Sequence, residues 1–132
     1  MIHPILSKLE EKDKSEIKIA VIGATNDKSK YGNKIYNDLK RKGYQVYAIN
    51  PRATTIEGDK SYKSIEDLDI EPDIFNFVVP AKIGFEILQD AVAMGFDNFW
   101  FQPGAESNEI SEFLKKRDKT FLVNACIMID AL

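Results

Sequence analysis

Only one cysteine, Cys126, occurs in this chain, and only one histidine, His3. A single thiol excludes an internal disulfide and makes a cysteine-based zinc site implausible, which points to a reducing, cytoplasmic setting. His3 lies in the leader and reads as an incidental surface residue, not a catalytic one. Long apolar runs are missing as well. The longest stretch without a charge, Thr120–Ile129, is half of what a membrane span needs. The net charge of −3 supplies neither a basic field for nucleic acid nor a polybasic membrane patch. Charges arrive too early in Met1–Lys12 for a secretory signal. Two nucleotide motifs are absent too. From Gly23, a G-x-G-x-x-G pattern would need glycine at Thr25 and Lys28, and no Gly-Lys-Ser/Thr follows.

What remains is the composition of one soluble globular domain, 44% hydrophobic and 30% charged over 132 residues. Residues 1–16 carry Ile5, Leu6 and Leu9 at helical spacing and predict a short leading helix packed on the domain, residues 17–132. Apolar runs predict strands at Lys18–Gly23, Gln45–Asn50, Asp73–Val79, Asn98–Phe101 and Thr120–Val123, the last running on into Cys126–Ile129. Helical spacing predicts helices over Gly32–Lys42, stopped by Gly43, over Ala81–Met94 and over Asn108–Arg117. The middle helix would bury Ile83, Ile87, Leu88, Ala91 and Val92. Ser64 reads as the cap of a short helix with Asp67 at the capping-box position. Arg52–Lys63 reads as a polar crossover loop. The aromatics Phe75, Phe77, Phe99, Trp100 and Phe101 fall in central strands and read as core.

Strand and helix alternating with short connections demand parallel pairing. The expectation is a Rossmann-like, doubly wound α/β domain of about five strands in the order 3-2-1-4-5, with helices on both faces. A ligand would lie at the carboxyl ends of the strands, beside strand one. Four corners meet there: Gly23–Asn33, Asn50–Arg52, Val79–Lys82 and Gln102–Gly104. They offer backbone groups, glycines, prolines and cations, and no pair of nucleophile and base. That is an inventory for binding.

Each corner carries two readings. Gly23 is a phosphate turn or a plain structural turn. Asn50-Pro51-Arg52 replaces the acidic residue that NAD sites use with a cation, which suits a ribose bearing a phosphate, as in NADP or coenzyme A. The other reading makes Arg52 an ordinary solvated loop residue, the commoner case for a single arginine, and Lys28, Lys30 and Lys34 likewise. Pro80 is explained by helix initiation; Pro103 lies several residues ahead of its helix and is not.

With those corners in hand, the chain resembles the CoA-binding domain family of small stand-alone proteins. These are similar to the N-terminal domain of the succinyl-CoA synthetase α subunit. The resemblance runs from about Ile17 to Ile129. It rests on Ala20-Val-Ile-Gly-Ala-Thr25, Tyr31-Gly32, Gly43 to Arg52, Tyr62-Lys-Ser-Ile65, Val78-Val-Pro80, Trp100-Phe-Gln-Pro-Gly104 and Cys126-Ile127. It implies coenzyme A as the ligand. Gly23, Ala24, Thr25, Lys30, Tyr31, Gly32 and Asn33 would cradle the pyrophosphate. Asn50, Pro51 and Arg52 would hold the adenosine end and its 3′-phosphate. Val79 and Pro80 would form a wall, with Gln102, Pro103 and Gly104 on the far side. The synthetase has a Glu near Gln102 and keeps its phosphorylated histidine in a second domain, so its chemistry does not carry over. Cys126 is either a buried small hydrophobe or a thiol close enough to bound CoA for a mixed disulfide. The resulting expectation is a CoA-binding carrier, sensor or regulatory module with no nucleic-acid or membrane partner. A small NADP-dependent reductase, a CoA-supplying ligase subunit and a ligand-free interaction protein are the alternatives. Oligomeric state stays open.

Overall fold

The computed structural model describes residues 2–132. Helix α1 (Pro4–Glu10) leads, followed by a 3-10 turn at Lys14–Glu16. Strand β1 is Lys18–Ile22, helix α2 Tyr31–Lys42 and strand β2 Gln45–Ile49. Strands β3 (Thr55–Ile56) and β4 (Asp59–Tyr62) come next, then a 3-10 turn at Ile65–Asp67. Strand β5 (Ile74–Phe77), helix α3 (Ala81–Ala93), strand β6 (Asn98–Phe101) and helix α4 (Asn108–Lys116) follow. Strand β7 (Thr120–Leu122) and helix α5 (Ile127–Asp130) complete the chain.

The sheet order is β3-β4-β2-β1-β5-β6-β7, with every pair parallel except the β3–β4 hairpin. The class is the expected doubly wound one, but count and order differ. The segment read as a polar crossover loop contains β3 and β4, joined by Glu57 and Gly58, both at positive φ. Two such residues form the tight hairpin turn that matches strand twist. β4 then takes the seat beside β2 that had been given to the strand at Asp73–Val79. That strand, β5, therefore pairs with β1 on its other side, in register Ile19↔Ile74 to Ile22↔Phe77. Counting β4 as the third parallel strand restores the 3-2-1-4-5 progression and extends it by one.

The period-two alternation of β1 splits the core. Ile19 and Val21 face α1, α2 and α5 with Trp100 and Ile74. Ala20 and Ile22 face α3 and α4 with Phe75, Phe77, Phe99 and Phe101. All five aromatics of β5 and β6 are at most 1% exposed, and the rings of Phe77 and Phe101 stack with centroids 4.6 Å apart. Stacked aromatics of this kind dominate core energetics.

Four further expectations are corrected. The last strand does not run on, because Asn124 adopts positive φ and the chain re-forms as α5. On α3 the buried stripe is Gly84, Leu88 and Ala91, while Ile83 is 52% exposed. A Cβ on Gly84 would stand 3.4 Å from Phe77 and Val79, so the helix lies close to the sheet there and turns Ile83 outward. Ser64 stands at the expected cap position, but of a 3-10 turn, and its hydroxyl donates to the Asp67 carboxylate at 3.2 Å instead of accepting from the backbone. His3 is half-buried and structural. Its Nδ1 accepts from Ile5 N–H at 3.1 Å, so Nε2 carries the proton and donates to the Phe121 carbonyl at 2.9 Å, tying α1 to β7.

Candidate functional site

Order reverses between β1 and β5, and the chain crosses there at the carboxyl ends of the strands. Gly23 leaves β1 at φ +107°, and a Cβ on it would meet Val79 Cγ1 at 2.9 Å. Gly32, the second residue of α2, approaches the same turn so closely that a Cβ would lie 2.0 Å from the Gly23 carbonyl oxygen. Glycine is required at both positions, once for conformation and once for space.

Side chains stiffen the loop between them. Thr25 Oγ1 accepts from Asp27 N–H at 3.1 Å. Asp27 Oδ1 accepts from the Ser29 hydroxyl at 2.6 Å and from Ser29 N–H at 3.0 Å, which together hold its carboxyl below the usual range. Asn33 Nδ2 donates to the Thr25 carbonyl and Asn50 Nδ2 to the Ala24 carbonyl, both at 2.9 Å. Lys30 stands at the cap position of α2 without capping it by side chain. The first N–H groups of a helix have no partner within it, so those of Tyr31 and Gly32 are presented at this corner, where the helix end favours an anion.

At the second corner, Asn50 Oδ1 accepts from Arg52 N–H at 2.8 Å and Ala53 N–H at 3.1 Å. One amide thus closes its own turn and pins it to the first loop. Pro51 and Arg52 are exposed. The neighbouring hairpin is fastened to both elements: Asn26 takes Glu57 N–H and donates to the Thr55 carbonyl, each at 2.8 Å. Asp59 accepts from Lys40 at 2.8 Å and from the Tyr36 hydroxyl at 2.7 Å. The Lys40 and then the Tyr36 hydrogen bond hold the Asp59 carboxyl below its ordinary range, and burial with Asp59 pushes the Tyr36 phenol up.

A cleft of about 930 Å³ opens between the Gly23, Val79 and Gln102 corners and α5, outside the Asn50 corner, within the range of small-molecule sites. Of the residues singled out by sequence, Gly23, Lys30, Tyr31, Gly32, Val79, Pro80, Gln102, Pro103, Gly104 and Cys126 line it. Ala24, Thr25, Asn33, Asn50, Pro51 and Arg52 do not. Ala24 is fully buried, and Thr25, Asn33 and Asn50 shape the loops behind the surface. Ser29, inside the expected Gly23–Asn33 corner but not singled out there, also lines it, and sequence reasoning missed Val78, Ala105, Met128 and Ile129. The last two were hidden because their helix had been read as strand. One end of the cleft is therefore backbone N–H groups and Lys30; the other is apolar, under α5. Among the described residues no group of three or more His, Cys, Asp or Glu could hold a metal, and no helix is long and apolar enough to cross a membrane.

A parallel sheet with its cleft at the switch point and a helix N-terminus opening onto it defines a Rossmann-type binding domain. The chain belongs to the CoA-binding domain family, whose model matches residues 18–131. A conserved hypothetical protein from Pyrococcus furiosus has the same fold with a TM-score of 0.84 at 45% identity, over 86% of this chain and 98% of that one. The α subunit of ADP-forming acetate–CoA ligase II from Pyrococcus furiosus is 30% identical over 122 residues. That match covers 84% of this chain and 27% of the subunit, so the chain spans about a quarter of that relative. The uncharacterized protein YneT of Bacillus subtilis matches end to end, 22% identical over 98% of this chain and 96% of its own length.

Proposed function

We propose that this chain binds coenzyme A or an acyl-CoA in the cleft and acts as a non-catalytic carrier, sensor or regulatory module in the cytoplasm. The observation that carries this reading is the two-ended cleft, in a chain whose family is the CoA-binding domain family. The diphosphate lies against the N–H groups of Tyr31 and Gly32, with Lys30 beside it, since a helix N-terminus stabilises negative charge. Val79 and Pro80 wall the middle. The pantetheine arm runs beneath Met128 and Ile129, towards Gly104 and Cys126. Arg52, exposed at the neighbouring Asn50 corner outside the cleft lining, meets the 3′-phosphate. None of these groups forms a nucleophile–base pair, so the site holds its ligand and leaves chemistry to others.

The similarity to about a quarter of a ligase subunit favours a second reading, a CoA-supplying component of an acid–thiol ligase. Thermal shift with CoA, acetyl-CoA, NADP and NAD in parallel tests the ligand. Stabilisation rises with the logarithm of ligand concentration above Kd. The expected result is a saturable shift with CoA and acetyl-CoA. A shift with NADP alone would point to a small reductase, and none with any ligand to an interaction protein; either overturns the reading. Copurification with an acid-activating partner would favour the ligase component.

Cys126 lies half-buried on the cleft. With CoA disulfide as oxidant, its thiolate attacks one sulfur, forms a protein–CoA disulfide and releases one CoA thiol. Non-reducing mass spectrometry should show one CoA added at Cys126. An unmodified thiol would end this part of the proposal.

A further inference from the structure

The segment after β7 forms one wall of the cleft, yet no strand pairs with it. Its helix α5 is only four residues long, Ile127–Asp130. Packing of Ile127 and Ala131, both fully buried, contributes part of its attachment. The remainder is a set of side chains reaching across from other elements. The Trp100 indole N–H donates to the Ala125 carbonyl at 2.8 Å. Lys42 Nζ donates to the Met128 carbonyl at 2.6 Å and the Ala131 carbonyl at 2.7 Å. Between them stands Gln102, 6% exposed at the end of β6.

Every polar atom of the Gln102 side chain is engaged within the protein. Oε1 accepts from Ile127 N–H at 2.9 Å and from Asn76 Nδ2 at 3.1 Å. Nε2 donates to Cys126 Sγ at 3.2 Å. The acceptor demanded by Ile127 N–H fixes which end of the amide is which, and Asn76 must then present its donor. Asn76 is fully buried in β5, between Val21 and Trp100 in register, and its Oδ1 has no partner among the described residues. A fully buried amide with one atom unpaired is costly. Its one side-chain hydrogen bond among the described residues holds Gln102 in the rotamer that reaches Ile127.

We infer that Gln102 is a positioning residue, held by Asn76, which hangs the Cys126–Asp130 segment over the arm of the bound ligand and leaves the phosphate corner untouched. This rests on the CoA reading for the ligand and on the hydrogen bonds alone for the attachment. It accounts for a polar residue at a corner where sequence suggested a ligand contact. With Oε1 accepting twice and Nε2 donating to Cys126 Sγ, Gln102 acts on the ligand chiefly through the wall it holds, one Nε2 hydrogen being left over.

The test is Gln102→Met, which keeps the volume and removes all three hydrogen bonds. Two readouts are taken, amide hydrogen exchange and calorimetric titration with CoA and with adenosine 3′,5′-bisphosphate, which lacks the pantetheine arm. Exchange should quicken together at Ile127, Ile129, Asp130 and Ala131 while Phe99–Phe101 stay protected. CoA should bind about tenfold more weakly, the size of one net hydrogen bond, with the bisphosphate unchanged. Trp100→Phe, which deletes the bond to Ala125 and opens a small cavity at a fully buried site, should give the same exchange and ligand signature and serves if Gln102→Met does not fold. Quickened exchange confined to Ile127, or equal weakening of both ligands, would overturn the inference. Failure of the wild type to bind CoA would overturn the ligand reading, while the exchange pattern would still decide the attachment.

Discussion

The two ends of the cleft are built by opposite means. At one end the cleft is lined by the Gly23 turn and the start of α2 with Lys30, and the side chains of Thr25, Asp27, Asn33 and Asn50 lie behind that turn as braces. At the far end the cleft is lined by Met128, Ile129 and Cys126, on a segment held by Lys42, Trp100 and Gln102. A backbone cradle cannot be retuned by single substitutions without distorting the turn, whereas a hung wall can move or change composition with the turn intact. The difference teaches that, on the coenzyme A reading proposed above, phosphate binding and binding of the thiol arm are separable within one small fold.

The comparison is broken most severely at Gly32. Gly32→Ala would place its Cβ 2.0 Å from the Gly23 carbonyl oxygen, far inside van der Waals contact. The turn and the start of α2 must separate, at a cost of about 3 kcal/mol. Urea denaturation should show that loss, and both CoA and adenosine 3′,5′-bisphosphate should lose binding together, unlike the arm-selective loss at the other end. Asn50→Ala comes next. It leaves the Ala24 carbonyl and two N–H groups without their partner, for a loss of about 2 kcal/mol in the same denaturation experiment. Arg52→Ala should leave folding unchanged, because the exposed guanidinium has no hydrogen bond or ion pair among the described residues. It should weaken CoA more than dephospho-CoA; equal losses would remove the assigned 3′-phosphate contact.

The smallest effect is that of pH. Asp27 and Asp59 both have folded pKa values below their unfolded ones. Their stabilisation is complete above the unfolded value of about 4 and is lost as pH falls through the depressed folded values. Both are largely solvated, so screening keeps the effect small. Thermal melts between pH 6 and 3 should decline only below about pH 4, and Asp59→Asn should flatten that decline.

Sequence pattern revealed the strands that are apolar along their length and the helices that end in glycine, as with β6 at Asn98–Phe101 and α2 before Gly43. It did not reveal β4, Asp59-Lys-Ser-Tyr62, because a strand that pairs with β2 only through Ser61 and Tyr62 needs no apolar run. The Glu57-Gly58 turn was its one available signal. Nor did it reveal α5, since an apolar stretch reads alike as strand or helix until Asn124 breaks the backbone. In the site, residue types at the four corners were legible, but not which would face the cleft. Asn33, Asn50 and Gln102 are polar residues near a ligand corner, and only geometry reveals that their amides are bound to protein.

The most direct measurement is a crystal structure of the chain with coenzyme A. The account predicts the diphosphate at the N–H groups of Tyr31 and Gly32 and the pantetheine arm beneath Met128 and Ile129, its sulfur next to Cys126. CoA bound with the phosphates away from α2, or with the arm leaving the cleft on the side opposite α5, would contradict it.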